Sequence, residues 1–282
     1  MNKGLAFDIF KKDQMSGEFR RFDRAAMLLK EWLRSSNEME AEPWGFWATL
    51  GFSAIIFGLF CALQFLVVMA FVSFARVQHP ELDLEVYAKS LSSNGFCLAI
   101  SEVVSGLICI PLTLWFTKLR KNISVKNYIG FREPQKREWV RWLLILAVFL
   151  FLSDAVISLL HRPIVPPFMV DAYKTVSSLP ALLFAIIVVA PIFEEIFFRG
   201  FLFQGIRYSR LGPIGAIGIT SFLWAGIHLQ YDVYGIMILF ALGLLLGIVR
   251  LKTDSIHLLM VMHSLVSVVA TIETTLYVRF MG

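Results

Sequence analysis

Long apolar runs separated by short polar or charged stretches dominate the chain. A membrane-spanning helix needs about 20 apolar residues at a rise of about 1.5 Å per residue. Seven runs approach or exceed that length, at about 46–75, 95–116, 142–160, 179–206, 214–229, 233–249 and 255–278. Only Gln230, Tyr231 and Asp232 separate the fifth and sixth runs, so these two predict a hairpin or a half-buried pair of helices.

The pattern favours helices over strands. Open strands cannot cross lipid without losing their hydrogen bonds, and no alternating repeat of about ten residues indicates a barrel. We therefore predict an all-α, polytopic transmembrane bundle of seven or eight spans. The composition agrees, because 57% of the residues are hydrophobic and 17% are charged. Soluble domains average roughly 45–50% and 25%, so the composition excludes a soluble globular protein.

The charges between the runs predict the orientation. With the N-terminus in the cytoplasm, the inside segments hold twenty basic residues and the outside segments five. This positive-inside bias predicts a multi-pass integral membrane protein with a cytoplasmic N-terminus, in the inner membrane if the chain is prokaryotic. The formal charge of +5 is explained by topology, so no nucleic-acid partner is expected.

The first 44 residues differ from the rest of the chain. They carry eight acidic and eight basic residues and no continuous apolar core, which excludes a secretory signal. Phe19, Phe22, Ala26, Leu29 and Leu33 have helical spacing and predict an amphipathic helix. We divide the chain into a charged cytosolic segment at 1–44 and a transmembrane bundle at 45–282.

Ionisable residues inside the predicted spans are costly, by roughly 2.5–3.5 kcal/mol each on insertion scales, so each needs a partner or a purpose. Five stand out, namely Glu102, Asp154, Glu194, Glu195 and Arg199. On a helix, Glu195 and Arg199 are four apart in the orientation that favours an ion pair. Around the helix axis, Glu194 points about 100° away from Glu195. The residue four positions after Glu194 is Phe198, so Glu194 has no basic partner on the next turn. The cluster predicts a working carboxylate beside a supporting pair; the alternative is a charge network that only fixes helix packing.

Two histidines lie on later spans. Trp224 and His228 are four apart on the fifth run, and His263 and Ser267 are four apart on the seventh, so each pair shares a helical face. Counting helical rise from the cytoplasmic ends brings Glu194 and both histidines to a similar buried depth. One carboxylate and two imidazoles can activate a water and stabilise an oxyanion.

The order Glu194-Glu195-x-x-x-Arg199, Trp224-x-x-x-His228 and His263 resembles the CPBP family of CAAX proteases and bacteriocin-processing (Abi) proteins. The resemblance covers about residues 179–270. It implies an intramembrane glutamic endopeptidase that cuts a membrane-embedded or lipid-tethered protein near the cytoplasmic side of the bilayer.

The resemblance also implies a role for each matching residue. Glu194 is the catalytic base, His228 holds the water with it, and His263 stabilises the oxyanion. Glu195 and Arg199 brace the site. The chain departs from the family pattern twice, with Trp224 where Phe is usual and with Ser267 where Asn is frequent; a serine hydroxyl is shorter than an amide.

Three alternatives stay open at this stage. No cofactor is expected, but zinc bound by Glu194, His228 and His263 is the alternative to the glutamate mechanism. Glu102 and Asp154 raise the alternative of a proton-coupled transporter. The third alternative is a non-catalytic membrane scaffold of the same fold, which the Ser267 departure suggests.

Overall fold

The computed structural model describes residues 42–280, which form ten helices and no strand. In chain order they are α1 Phe46–Gln78, α2 Leu84–Ser90, α3 Gly95–Lys118, α4 Val125–Ile129, α5 Lys136–Leu159, α6 Pro167–Thr175, α7 Leu179–Arg207, α8 Gly212–Gly226, α9 Val233–Thr253 and α10 Ile256–Phe280. A single 3₁₀ turn, Leu91–Ser93, precedes α3.

Seven apolar helices form the bundle, as the hydrophobic runs predict. Six of them, α1, α3, α5, α7, α9 and α10, are long and apolar enough to cross a bilayer. The seventh, α8, has 15 residues and is about 22 Å long at the helical rise. The predicted amphipathic helix at 19–33 lies outside the described residues, and the division at residue 44 stays a prediction.

The fifth span is shorter than the sequence predicts. We expected it to continue to residue 229, but α8 ends at Gly226. The amide of His228 instead donates to the carbonyl of Ala225 at 3.1 Å, a tighter turn than an α-helix makes. His228 therefore lies just past the helix, in the short loop that leads to α9.

The helix α7 passes through the middle of the bundle and is not a regular α-helix. It contains two π-helical segments, Ala185–Val189 and Glu195–Leu202, on either side of a short α-helical stretch that includes Pro191. Proline has no amide hydrogen to donate and so disturbs the regular hydrogen-bond ladder. Wide turns of this kind are rare and often occur at functional sites.

Small residues let other helices approach α7 closely. A Cβ atom on Gly205 would lie 2.0 Å from the hydroxyl of Thr49 on α1. On α3, a Cβ atom on Gly106 would lie 2.3 Å from a methyl group of Val189. Membrane helices associate through such close contacts between small residues. These two positions hold α7 against α1 and α3 and thereby fix the helix that carries Glu194.

Candidate active site

A fully buried ion pair lies at the start of the second π segment. The Arg199 guanidinium is 3.2 Å from a carboxylate oxygen of Glu195, and neither side chain is exposed. The same Glu195 oxygen is 2.9 Å from Nδ1 of His263 on α10. Because a carboxylate only accepts hydrogen bonds, His263 donates its Nδ1 hydrogen to Glu195. The predicted pair is present, and it orients a histidine that lies 68 residues away in the chain.

Glu194 has a different environment from its neighbour. Its side chain is 13% exposed, whereas that of Glu195 is fully buried, so Glu194 is the carboxylate that a substrate can reach. One Glu194 oxygen accepts a hydrogen bond from the indole nitrogen of Trp224 on α8. Nε2 of His263 lies 3.9 Å from this oxygen, too far for a direct hydrogen bond. Glu194 is thus held by a neutral donor and faces an imidazole.

Trp224 connects the elements of the site. Its ring is 5.3 Å from the His263 ring and 5.1 Å from the His228 ring, both in edge-to-face geometry. The Arg199 guanidinium lies 4.6 Å from the indole centroid, a cation–π contact. These ring contacts join His263, Trp224 and His228 in one aromatic wall beside Glu194.

His228 joins the site through its contacts with Trp224. Its Nδ1 is 2.8 Å from the Trp224 carbonyl oxygen. A carbonyl accepts hydrogen bonds, so this nitrogen carries the hydrogen, and Nε2 of the neutral ring keeps a free lone pair. The arrangement suits a histidine that accepts a hydrogen bond from water.

The structure adds a residue that the sequence analysis counted only as a topology charge. Arg250 on α9 is fully buried, and its Nε donates to the carbonyl oxygen of Arg199 at 2.9 Å. Its Nη2 donates to the carbonyl oxygen of Ile129 on α4 at 3.0 Å, and its Nη1 to Asp254. Gly130 has a φ of +82°, and a Cβ atom there would lie 2.6 Å from the guanidinium. Arg250 therefore ties the π segment to α4 and to the end of α9.

Tyr231 is the second residue that the sequence analysis did not single out. It lies in the loop after His228, with its ring 6.0 Å from the His228 ring. Burial, and to a smaller extent the charge of Glu194, raises the pKa of Tyr231 to about 12. The phenol is therefore neutral and able to donate a hydrogen bond throughout the physiological pH range.

Ser267 is one turn beyond His263 on α10, as its spacing predicts. It is half-buried, and its carbonyl oxygen accepts a hydrogen bond from Thr271 at 2.7 Å. Among residues 42–280, no three His, Cys, Asp or Glu side chains are grouped in a way that could hold a metal ion. Glu194, His228 and His263 as placed do not form a shared ligand set, and the zinc alternative needs the separate test given below.

Part of the chain matches the model of a known protein family. A family model described as Rce1-like, type II CAAX prenyl endopeptidase, matches residues 176–269. The matched range includes Glu194, Trp224, His228 and His263, and it covers about a third of the chain. Neither the curated proteins nor the solved structures contain a match.

Proposed function

We propose, from the match of residues 176–269 to the Rce1-like family model, that these residues form a CPBP-type domain and that the protein is an intramembrane endopeptidase whose base is Glu194. The observation that carries the proposal is the environment of this carboxylate. It is the accessible acid of the Glu194–Glu195 pair, a neutral indole holds it, and it lies 3.9 Å from an imidazole nitrogen. A water molecule beside these two groups can hydrogen-bond to both at such a separation.

The proposed reaction is direct attack of water on a peptide carbonyl. Glu194 takes a proton from the water while the water oxygen bonds to the carbonyl carbon, and the carbonyl oxygen becomes an oxyanion. The C–N bond then breaks as the leaving amine receives the proton from Glu194, which regenerates the carboxylate. General-base catalysis of this kind contributes about 10²–10⁴-fold.

The two histidines have complementary roles in this scheme. His228 donates through Nδ1 to a carbonyl, so its free Nε2 accepts a hydrogen bond from the attacking water and orients it. When doubly protonated, His263 keeps its Nδ1 hydrogen on Glu195 and offers an Nε2 hydrogen to the oxyanion. The Glu195–Arg199 pair fixes the orientation of His263. These assignments follow the roles that the family resemblance implies.

We take the substrate class from the family model. The chain would cut a protein that a prenyl chain or a membrane segment holds in the bilayer, on the cytoplasmic side. The positive-inside bias supports the cytoplasmic N-terminus that this orientation requires. Reporter fusions to the N-terminus and to the α5–α6 loop test it, because we expect the first in the cytoplasm and the second outside.

Cleavage by purified protein tests the proposed activity. We expect the wild type in detergent micelles to cleave a peptide that ends in a farnesylated CAAX box. Glu194→Gln should lower kcat at least about 10²-fold, because an amide cannot accept the proton. His228→Ala should also abolish most of the activity, while both variants keep the wild-type melting temperature.

A matched control is Glu273→Gln, since Glu273 is a carboxylate on α10 outside the matched range. It should leave kcat unchanged. Full activity of Glu194→Gln would contradict the proposal. Loss of wild-type activity on prolonged dialysis against a chelator, with recovery on adding Zn²⁺, would favour the zinc alternative over the glutamate mechanism.

A further inference from the structure

The hydrogen-bond donors around Glu194 are largely committed to partners within the protein. The Trp224 indole donates to Glu194, and Nδ1 of His228 donates to a backbone carbonyl. Nδ1 of His263 donates to Glu195. Arg199 pairs with the same carboxylate through Nη1; its Nε and Nη2 have no hydrogen-bond partner among the described residues, but the side chain is fully buried and out of reach of a substrate. A substrate oxyanion therefore finds one accessible donor in this set, Nε2 of His263, and only when that ring is doubly protonated.

Tyr231 brings a neutral hydroxyl to the same region. Its ring lies 6.0 Å from the His228 ring and 4.9 Å from the Phe168 ring on α6. These two ring contacts place the phenol at the end of the aromatic wall that runs from His263 through Trp224 and His228.

The Tyr231 hydroxyl is poorly satisfied within the protein. In the part of the chain that the structure describes, its hydrogen-bond partner is the sulfur of Met169, at 3.9 Å. A thioether is a weak acceptor. Tyr231 is half-buried, and a hydroxyl withdrawn from water normally finds a strong partner, because leaving it without one is costly. This hydroxyl therefore has most of its donor capacity available for a substrate.

We propose that Tyr231 is a further catalytic residue, whose hydroxyl donates a hydrogen bond to the substrate carbonyl oxygen as it becomes the oxyanion. The inference rests on the proposed endopeptidase activity. Tyr231 itself transfers no proton in this step: Glu194 takes the proton of the water as the water oxygen bonds to the carbonyl carbon, the carbonyl electron pair moves to the oxygen, and the hydrogen bond from the Tyr231 hydroxyl strengthens. Tyr231 would supply a neutral donor beside the charged donor of His263.

Tyr231→Phe is the variant that tests this inference. It removes the oxygen and keeps the ring that packs against Phe168 and His228. With the farnesylated CAAX peptide as the probe, we expect kcat to fall about 10²-fold, the usual effect of losing one oxyanion donor. KM should stay within about twofold, because the interaction forms in the transition state and not with the bound substrate.

Two controls separate this role from packing. Tyr234→Phe removes a hydroxyl three residues away, from a ring that lies against Arg162 at 4.6 Å, and should leave kcat unchanged. Met169→Leu removes the sulfur that the Tyr231 hydroxyl contacts and should also keep the wild-type kcat. If Met169→Leu lowers kcat as much as Tyr231→Phe does, the hydroxyl serves to hold α6 and the inference is wrong.

The outcomes also separate this inference from the proposed function. Cleavage that depends on Glu194, with a wild-type kcat in Tyr231→Phe, overturns the role of Tyr231 alone. A higher KM with an unchanged kcat makes Tyr231 a ground-state binding residue and also overturns it. Wild-type cleavage that does not depend on Glu194 overturns the proposed function and this inference with it.

Discussion

Two carboxylate groups of the helical bundle, one at the candidate active site and one on α3, have different partners. At the candidate active site, Glu194 and Glu195 lie beside Arg199 and His263, which can carry positive charge. On α3, Glu102 accepts a hydrogen bond at 3.0 Å from the neutral amide of Gln64, which also lies 3.4 Å from the Ser105 hydroxyl. A buried carboxylate needs compensating charge to stay ionised.

The difference between the regions indicates where chemistry is possible. The group around Glu194 can hold a negative charge and pass a proton, whereas the group around Glu102 can be satisfied as a neutral, hydrogen-bonded acid that joins α1 to α3. Having acidic residues at membrane depth is thus not sufficient to indicate function. The nature of their partners distinguishes a site that can catalyse a reaction from one that stabilises helix packing.

Breaking the buried ion pair should have the largest effect. Arg199→Met leaves Glu195 charged and buried without its cation, which should cost about 3–5 kcal/mol of unfolding free energy. Activity should fall with it, because Glu195 orients His263. Unfolding in mixed micelles measures the loss. The double variant Glu195→Gln with Arg199→Met should recover part of the stability, and an equally unstable double variant would contradict the charge argument.

Removing the imidazole of His263 should have the next largest effect. His263→Ala removes the charged oxyanion donor and should lower kcat about 10²–10³-fold. The control is His257→Ala, because His257 is on the same helix, is partly exposed and lies 3.6 Å from Glu133. It should leave kcat unchanged. A similar loss of activity in both variants would point to damage to α10 as the cause.

Loosening the link between α7 and α4 should have a moderate effect. Arg250→Lys keeps the charge and loses the fork that donates to both Arg199 and Ile129. We expect kcat to fall about tenfold, since small displacements of catalytic groups are costly. Arg141→Lys, at an exposed arginine that lies over the Trp142 ring, should have no effect. Equal kcat values in the two variants would contradict the proposal that Arg250 holds the active site in place.

Neutralising Glu102 should have the smallest effect. Glu102→Gln replaces one hydrogen-bonding group by another of the same shape, so cleavage should stay within about threefold of wild type. A loss of tenfold or more would place Glu102 in the chemistry. A proton flux in proteoliposomes that disappears in this variant would instead support the transporter alternative.

The sequence was sufficient to predict the bundle and the ion pair, because both depend on local regularities. Hydrophobic runs set the number of apolar helices, and a spacing of four brings Glu195 and Arg199 together on successive turns. The end of α8 was misplaced by three residues, since the run continues through Ile227 and Leu229 although the helix stops at Gly226. An apolar run indicates that a segment is soluble in lipid. It does not indicate where the α-helical hydrogen-bond pattern ends.

The contacts of Arg250 and Tyr231 with distant parts of the chain were beyond the reach of the sequence pattern. Nothing in the spacing pairs Arg250 with the carbonyl of Arg199, which lies 51 residues away. Arg250 and Asp254 are four apart at the end of a span, and that pair was the available signal. The sequence signal for Tyr231 is weaker, since an aromatic residue in a short loop between helices usually serves only as an anchor at the membrane–water interface. The π segments depend on packing around α7 and have no sequence pattern of their own.

The most direct test of the account is single-turnover cleavage of the farnesylated CAAX peptide by Glu194→Gln and Glu102→Gln, prepared in the same micelles. Single-turnover conditions exclude product release from the measured rate. The account predicts that Glu194→Gln loses at least about 10²-fold in rate and that Glu102→Gln stays within about threefold of wild type. Equal rates in the two variants, or a faster reaction in Glu194→Gln, would contradict the assignment of Glu194 as the base.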